Sequence, residues 1–395
     1  MLGKPIPYGR QNISSADIQS VVEVLQSDYL TQGPKILEFE ELFARYIGCK
    51  YAVAVSNGTA ALHLSTLALK VGKGDKVITT PITFAASANC IKYCGGEVVF
   101  ADIDPATYLI DFYHVENLLK KSSKGEYKGL ILVDFAGSAI DLEKFKKLAI
   151  EYDLWIIEDA CHSPGGYFVD SKGQKQNCGN VQYADIAVFS FHPVKHIACG
   201  EGGMVTTNNE ELYNELLKLR THGIVKNAGS FENSIAEAGG DQAYPGWYME
   251  MQELGYNYRL TDFQAALGIS QLKQAEYNLD RRRQIAAIYS DAFKNKSFVL
   301  GQSGNIEGHA YHLYVLEVMD RLGLYDYLKS RNVYCQIHYI PCHLMPYYKS
   351  LGWNVGDLPL SEKYYKHCIS LPMYPNLQPS EQNYVIDCIH EYYSR

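Results

Sequence analysis

The sequence predicts an α/β fold: a large domain built on a mostly parallel sheet, followed by a smaller α+β domain. Three observations carry this. Short β-branched runs alternate with helical patterns over the first two-thirds of the chain, residues 223–256 break the alternation, and the remainder reads as a smaller α+β unit with two strand candidates. Short apolar strands separated by helices mark a sheet buried on both faces. At 395 residues the chain is long enough for two structural units.

The elements follow in order. Tyr51–Val55 reads as a buried strand, and Asn57-Gly58-Thr59 leads from it into an apolar-periodic helix through Leu62 and Leu69. Asp75–Thr80 is a strand ended by Pro81. A helix follows around Phe84–Cys94, and Glu97–Ala101 is the next strand. Gly129–Val133, Leu154–Ile157 and Ile186–Ser190 continue the series, and Gly203–Thr207 runs back after a turn. Residues 223–256, rich in Gly, Ala, Glu, Asn and Tyr, read as a long irregular excursion. From Leu260 one helix is expected through Leu272 and on past Arg283. His312–Glu317 and Tyr334–His338 are the strand candidates of the smaller unit. This divides the chain into an N-terminal segment, 1–30, packing with the small domain, a large domain over 31–258 and a small domain over 259–395.

Composition narrows the function. The formal net charge of −8, from 36 Lys+Arg against 44 Asp+Glu, argues against a nucleic-acid binder that works by phosphate neutralisation. No apolar run approaches the ~20 residues of a membrane helix. Met1–Pro7 lacks the apolar core of a signal peptide, so a cytoplasmic protein is expected. The ten cysteines are scattered, with no Cys-x-x-Cys pair, which suits reduced and mostly buried thiols. Cys90 and Cys94 could share a helix face, but two thiols without a second pair make a poor zinc site, and no metal is expected. The 32 tyrosines suit interfaces and ligand clefts alike.

Four segments carry chemistry. In Phe189–Gly203 a strand ends at Ser190, Lys195 follows, and Gly200-Glu-Gly-Gly203 closes the segment. A lysine held beside glycines and a hydroxyl at a strand end suits a Schiff base to pyridoxal phosphate (PLP). The amine must be unprotonated to attack an aldehyde, and burial lowers its pKa. A surface lysine in a loop is the alternative. Ile156–His162 places Asp159 at the C-terminal end of a buried parallel strand, which faces the ligand crevice of an open α/β sheet. PLP needs a carboxylate against its pyridine nitrogen, so that the ring stays protonated and acts as an electron sink. A helix N-cap is the other reading of Asp159. His162 could pack against the ring, bond its phenolic oxygen, or be structural. Ser56–Ala60 joins a strand to a helix, where free backbone N–H groups and the helix dipole favour an anion. There Gly58 permits close approach of a phosphate and Thr59 adds a hydroxyl. Phe84 follows a strand at a helix start, where its face could stack on the cofactor or belong to the core.

Taken together, these segments resemble the DegT/DnrJ/EryC1/StrS family of PLP-dependent sugar aminotransferases. The matching runs are Leu30–Gly33, Ser56–Thr59, Thr80–Phe84, Glu158–Ala160, Ser190 through Lys195 to Gly203, Arg220–Gly223 and Gly255–Gly268, in the family's order. The resemblance implies the type I (aspartate aminotransferase) fold. It makes Lys195 the catalytic Schiff-base lysine and Asp159 the pyridinium partner, with Ser190, Gly58 and Thr59 on the phosphate. Asn257 would reach the phosphate of a neighbouring subunit's cofactor, which implies a homodimer with shared active sites. Tyr8, the turn Asp28, Tyr29, Leu30 and Thr31, and His338 and Tyr339 match positions that line the nucleotide-sugar site.

Within the family, Thr80–Cys90, Tyr258–Asp262 with Gly268–Leu272, and Gln336–Pro341 followed by Pro346-Tyr-Tyr348 are similar to one branch. That branch aminates C4 of a UDP-linked 4-keto-6-deoxy-N-acetylhexosamine in pseudaminic-acid-type biosynthesis, with L-glutamate as the expected donor. A dTDP- or GDP-linked acceptor aminated at C3 or C4, and a non-catalytic PLP-fold binding protein, are the alternatives. Related sugar dehydratases carry histidine in place of the lysine, and Lys195 speaks against them. Ala198-Cys199 stands where many relatives carry Thr-Thr, which is expected to remove a hydroxyl near the cofactor. The 223–256 stretch is also longer than in some relatives.

Overall fold

The central sheet has seven strands: β1 (Tyr51–Val55), β2 (Lys76–Thr79), β3 (Glu97–Phe100), β4 (Tyr127–Val133), β5 (Trp155–Asp159), β6 (Ile186–Ser190) and β7 (Gly203–Thr207). Their spatial order is β1-β7-β6-β5-β4-β2-β3. Only β7 runs against the rest, antiparallel to both β1 and β6. Six strands therefore end at one edge, where Ser56, Thr80, Asp159 and Ser190 all emerge. The computed structural model describes residues 4–395. Met1–Gly3, which open the segment read for a signal peptide, lie outside the described residues.

The strands are continuously apolar because each face is covered. Leu130, Leu132, Ile156 and Ala187 pack on one side with Val115 and Leu119 of α5 (Phe112–Lys121) and Phe145 and Leu148 of α6 (Leu142–Tyr152). Their neighbours Ile131, Ile157, Ile186 and Val188 pack on the other side. There they meet α3 (Gly58–Ala68), α4 (Ala86–Tyr93) and α7 (Glu210–Arg220). This alternation is the period-2 signature of a doubly covered sheet. The strands begin and end within a few residues of their predicted bounds, and β5 extends through Asp159.

Before the sheet come α1 (Ser15–Leu25) and α2 (Pro34–Ile47). Asp262 opens α8 (Asp262–Leu272), and its carboxylate accepts from Gly33 N–H at 2.6 Å and Lys35 N–H at 2.8 Å. It thereby caps the start of α2. The long helix expected from Leu260 is two helices, α8 and α9 (Ala275–Phe293), with Lys273 and Gln274 between them. The apolar periodicity runs across this break, which hid it.

The smaller unit has a three-stranded antiparallel sheet of β8 (Val299–Gln302), β9 (Tyr314–Val318) and β10 (Cys368–Leu371). Helices α10 (Arg321–Ser330), α11 (Pro359–His367) and α12 (Pro379–Tyr393) surround it. Tyr334–His338 is not a strand of this sheet. Among the described residues it makes one isolated bridge, Gln336 to Ser370, and Val333 just before it bridges Ile6. The Gln336 side chain takes the Ile337 N–H at 2.9 Å, which removes that donor from a ladder. At the N-terminus Ile6 joins the core of this unit, Tyr8 O accepts from Met373 N, and α1 lies on α8.

The 223–256 excursion is built rather than irregular throughout. Ile224–Val225 pairs with Glu250–Met251, Tyr244 stacks on Tyr248, and Phe231 packs edge-on against both. The Glu250 carboxylate accepts from the N–H groups of Glu232 and Asn233, from Tyr248 and from Gln252.

Candidate functional site

One cavity of about 890 Å³ opens at the carboxyl edge of the sheet. It gathers Lys195, Asp159, His162, Ser190, Gly58, Thr59, Phe84, Tyr8, His338 and Tyr339. A crevice outside the strand ends is where open α/β sheets bind ligands.

Asp159 is the last residue of β5 and is buried. Its Oδ2 accepts from Ser87 Oγ at 2.6 Å, its Oδ1 accepts from Cys161 N–H at 3.2 Å, and the Thr83 hydroxyl lies 2.7 Å from Ser87 Oγ. Asp159 caps no helix, which leaves its N-cap reading without support.

Lys195 lies in the turn after β6, where its N–H bonds to His192 O at 2.8 Å. Its side chain is half-buried and makes no ion pair among the described residues. Burial pulls its pKa below the ordinary lysine value, against the opposing influence of Cys161 and Asp159.

At the start of α3 the Asn57 side chain takes the N–H of Ala60 and Asn57 O takes that of Ala61. The N–H groups of Gly58 and Thr59 have no acceptor among the described residues. Ser190 faces them so closely that a Cβ on Gly58 would lie 3.0 Å from Ser190 Cβ. Two free N–H groups, a helix dipole and two hydroxyls make an anion cradle. The cradle, the unpaired lysine and the buried carboxylate are the three fixtures that a phosphorylated pyridine aldehyde requires, so these residues fit PLP.

His162, 5 % exposed, accepts from Ala136 N–H at Nδ1 and lies 3.3 Å from Tyr339 Oη through Nε2. Burial holds it well below the usual imidazole range, with Lys195 adding to the effect. His338 is pushed down to about 3, first by burial and then by Lys195. It bonds Ser370 Oγ at 2.9 Å and packs against Tyr8. Phe84 is not core: it is 62 % exposed and faces Tyr339 across the cleft.

The structure does not bring every expected residue here. Asp28, Tyr29, Leu30 and Thr31 are exposed and lie outside this chain's own cleft. Thr31 bridges Thr261, and Leu30 O accepts from Asp262 N–H. Asn257 is likewise exposed and bridges Thr221. Ala198 and Cys199 are buried away from the cavity, and Cys199 packs with Phe39, Phe191 and Ile269. The exchange of Thr-Thr at this place therefore alters core packing, not the cleft wall.

Sequence reasoning missed Ser87 and His312, both of which line the cavity. Ser87 lies in the first turn of α4 and Thr83 just ahead of that helix, so their spacing carries no helical-face signal. His312, its ring 4.3 Å from that of His162, precedes β9 and carries no local mark.

Residues 11–390 match the DegT/DnrJ/EryC1/StrS aminotransferase family. The chain belongs to this family. It is 36% identical to the spore coat polysaccharide biosynthesis protein SpsC of Bacillus subtilis, over 98% of this chain and 96% of that one. It is 35% identical to the UDP-4-amino-4,6-dideoxy-N-acetyl-beta-L-altrosamine transaminase of Campylobacter jejuni, over 97% of this chain and 96% of that one. Helicobacter pylori PseC, an aminotransferase involved in the biosynthesis of pseudoaminic acid, superimposes with a TM-score of 0.87 at 29% identity, covering 99% of this chain and 100% of PseC. The protein is thus a sugar aminotransferase of the PLP-dependent class with the type I fold. Among the described residues no helix is long and apolar enough to cross a membrane.

Proposed function

We propose that this aminotransferase moves an amino group from L-glutamate to C4 of a UDP-linked 4-keto-6-deoxy-N-acetylhexosamine, a step of pseudaminic-acid-type nucleotide-sugar biosynthesis. The observation that carries the reaction is Lys195, unpaired and partly desolvated between a buried carboxylate and an anion cradle. The sugar rests on likeness to the Campylobacter jejuni transaminase.

In this reading Lys195 holds the cofactor covalently through Nζ. When bound, PLP supplies an electron sink for the carbon that gains or loses nitrogen. Asp159 binds the pyridinium N–H, and Ser87 and Cys161 N–H fix the direction of its oxygens. Gly58, Thr59 and Ser190 hold the phosphate, and His162 and Phe84 border the ring. Lys195 Nζ would also carry the proton to and from the sugar carbon. Positioned proton transfer of this kind is worth typically ~10²–10⁴-fold. Tyr8, His338 and Tyr339 line the acceptor side. Asp28–Thr31 and Asn257, outside the chain's own cleft, serve the cleft of a second subunit in a homodimer.

The test is a panel of UDP-, dTDP- and GDP-linked keto-sugars offered with L-glutamate. Turnover of the UDP-linked 4-keto-6-deoxy-N-acetylhexosamine with C4 amination is expected. Turnover of a dTDP-linked 3-keto sugar alone would overturn the substrate and leave the reaction class standing.

A further inference from the structure

A hydrogen-bond chain with a fixed direction ends in the cleft. The Ala136 N–H donates to His162 Nδ1 at 3.2 Å and has no other acceptor among the described residues. Nδ1 must therefore present its lone pair, and a neutral imidazole then carries its proton on Nε2. That nitrogen lies 3.3 Å from Tyr339 Oη, so His162 donates and Tyr339 accepts. The tyrosine's own proton finds no acceptor among the described residues, and its ring lines the cavity with Lys195. The rings of His312 at 4.3 Å and Phe135 at 6.3 Å pack against the imidazole.

We propose that Tyr339 is a hydrogen-bond donor aimed at an oxygen of the bound ligand, and that His162, held by Ala136 N–H, is the positioning residue that sets this direction. This rests on the cleft being the transamination site. Burial keeps the Tyr339 hydroxyl protonated, so it serves as a donor and not as a base. Two ligand oxygens share the needed chemistry: the phenolic oxygen of the cofactor, and a keto or hydroxyl oxygen of the sugar acceptor.

The chain's direction is testable without ligand. Nitrogen-15 NMR of histidine-labelled apoenzyme should show His162 with Nδ1 unprotonated and Nε2 protonated at neutral pH, its resonance assigned by loss in His162→Gln. A protonated Nδ1 overturns the proposal. Tyr339→Phe separates the two oxygens. If the cofactor accepts, the visible spectrum of the holoenzyme changes before sugar is added. If the sugar accepts, the spectrum holds and kcat/KM for the UDP-linked keto-sugar falls roughly ten- to hundredfold. No change in either, in a variant that still attaches the cofactor, overturns the proposal and leaves the transamination reading intact. A wild-type enzyme whose spectrum fails to respond to any amino donor strikes that reading itself. His162→Gln, whose amide can both accept from Ala136 and donate to Tyr339, should be less impaired than His162→Leu, which should match Tyr339→Phe. Equal impairment of the Gln and Leu variants at unchanged melting temperature also counts against the chain.

Discussion

Ser87 donates its hydroxyl proton to Asp159 Oδ2 across 2.6 Å, and Thr83 stands 2.7 Å behind Ser87. With its single proton spent on the carboxylate, Ser87 accepts from Thr83, so both hydroxyls point toward Asp159. Ser87→Ala leaves one carboxylate oxygen without this donor and free to turn. Affinity of the apoenzyme for PLP, followed by absorbance, should weaken about tenfold. Thr83→Val, one step further away, should have the smaller effect. Unchanged affinity in Ser87→Ala would show that Asp159 does not depend on this chain.

Lys195→Ala should abolish both turnover and the yellow absorbance of the lysine-bound cofactor. The wild-type amine has a further consequence. Burial stabilises its neutral form, so attachment of PLP to the apoenzyme should rise with pH through a midpoint below the 10.5 of a solvated lysine. Stopped-flow absorbance across a pH series measures this. A midpoint at or above that value would mean that the amine is not desolvated.

Behind the cleft, Asp134 and Glu158 are buried side by side with Cys178. Burial raises the Asp134 carboxyl to about 6, and burial and then Asp134 push Glu158 well above its ordinary value. Both folded values exceed the unfolded ones. The folded state therefore holds more protons, and stability falls as pH rises from about 4 through the folded values. Glu158→Gln keeps an acceptor for Gly179 N–H, which Glu158 Oε2 takes at 2.9 Å, and removes one charge. The variant should match wild type near pH 4 and gain on it as the pH rises towards 8, because the raised Glu158 carboxyl no longer has a proton to lose. Denaturant melts at the two pH values decide this, and a variant less stable at pH 8 would show that the pair contributes a net bond there.

The parts of the fold that were legible in the sequence are those dictated locally. Ile156 and Ile157 face opposite covered sides of the sheet, so β5 reads as a continuous apolar run and its acid falls at the strand end. Lys195, Ser190 and Gly58, read from the same strand ends, line one cavity with Asp159. What was hidden depends on distant partners. Asp262 caps the start of α2 from 229 residues away, which explains why Leu30–Gly33 and Gly255–Gly268 belong together. Ser87 gains its role only from Asp159, 72 residues along the chain. Arg220, part of a matching run, turned out to be packing chemistry: its Nη1 donates to buried Glu40 at 2.6 Å and to Ala54 O at 2.8 Å, tying α7 to α2 and β1.

Asn257 is exposed and stands outside the cavity that holds Lys195, yet the family resemblance assigns it to a cofactor phosphate. Both statements hold if the phosphate belongs to a second subunit. The cradle at Gly58 and Thr59 can then take donors from two chains, which ties cofactor retention to association. Asn257→Ala should therefore weaken PLP binding while leaving this chain's own cleft unaltered. Mixing it with Lys195→Ala chains gives the decisive measurement. In the mixed dimer one site carries both defects and the other carries neither, because Asn257 is supplied across the interface. With random exchange about half of the dimers are mixed, each with one intact site, so recovery should approach roughly a quarter of wild-type activity. An absence of recovery, with subunit exchange demonstrated by mass and the Asn257→Ala parent clearly impaired, would place Asn257 in its own subunit's chemistry and remove the argument for shared sites.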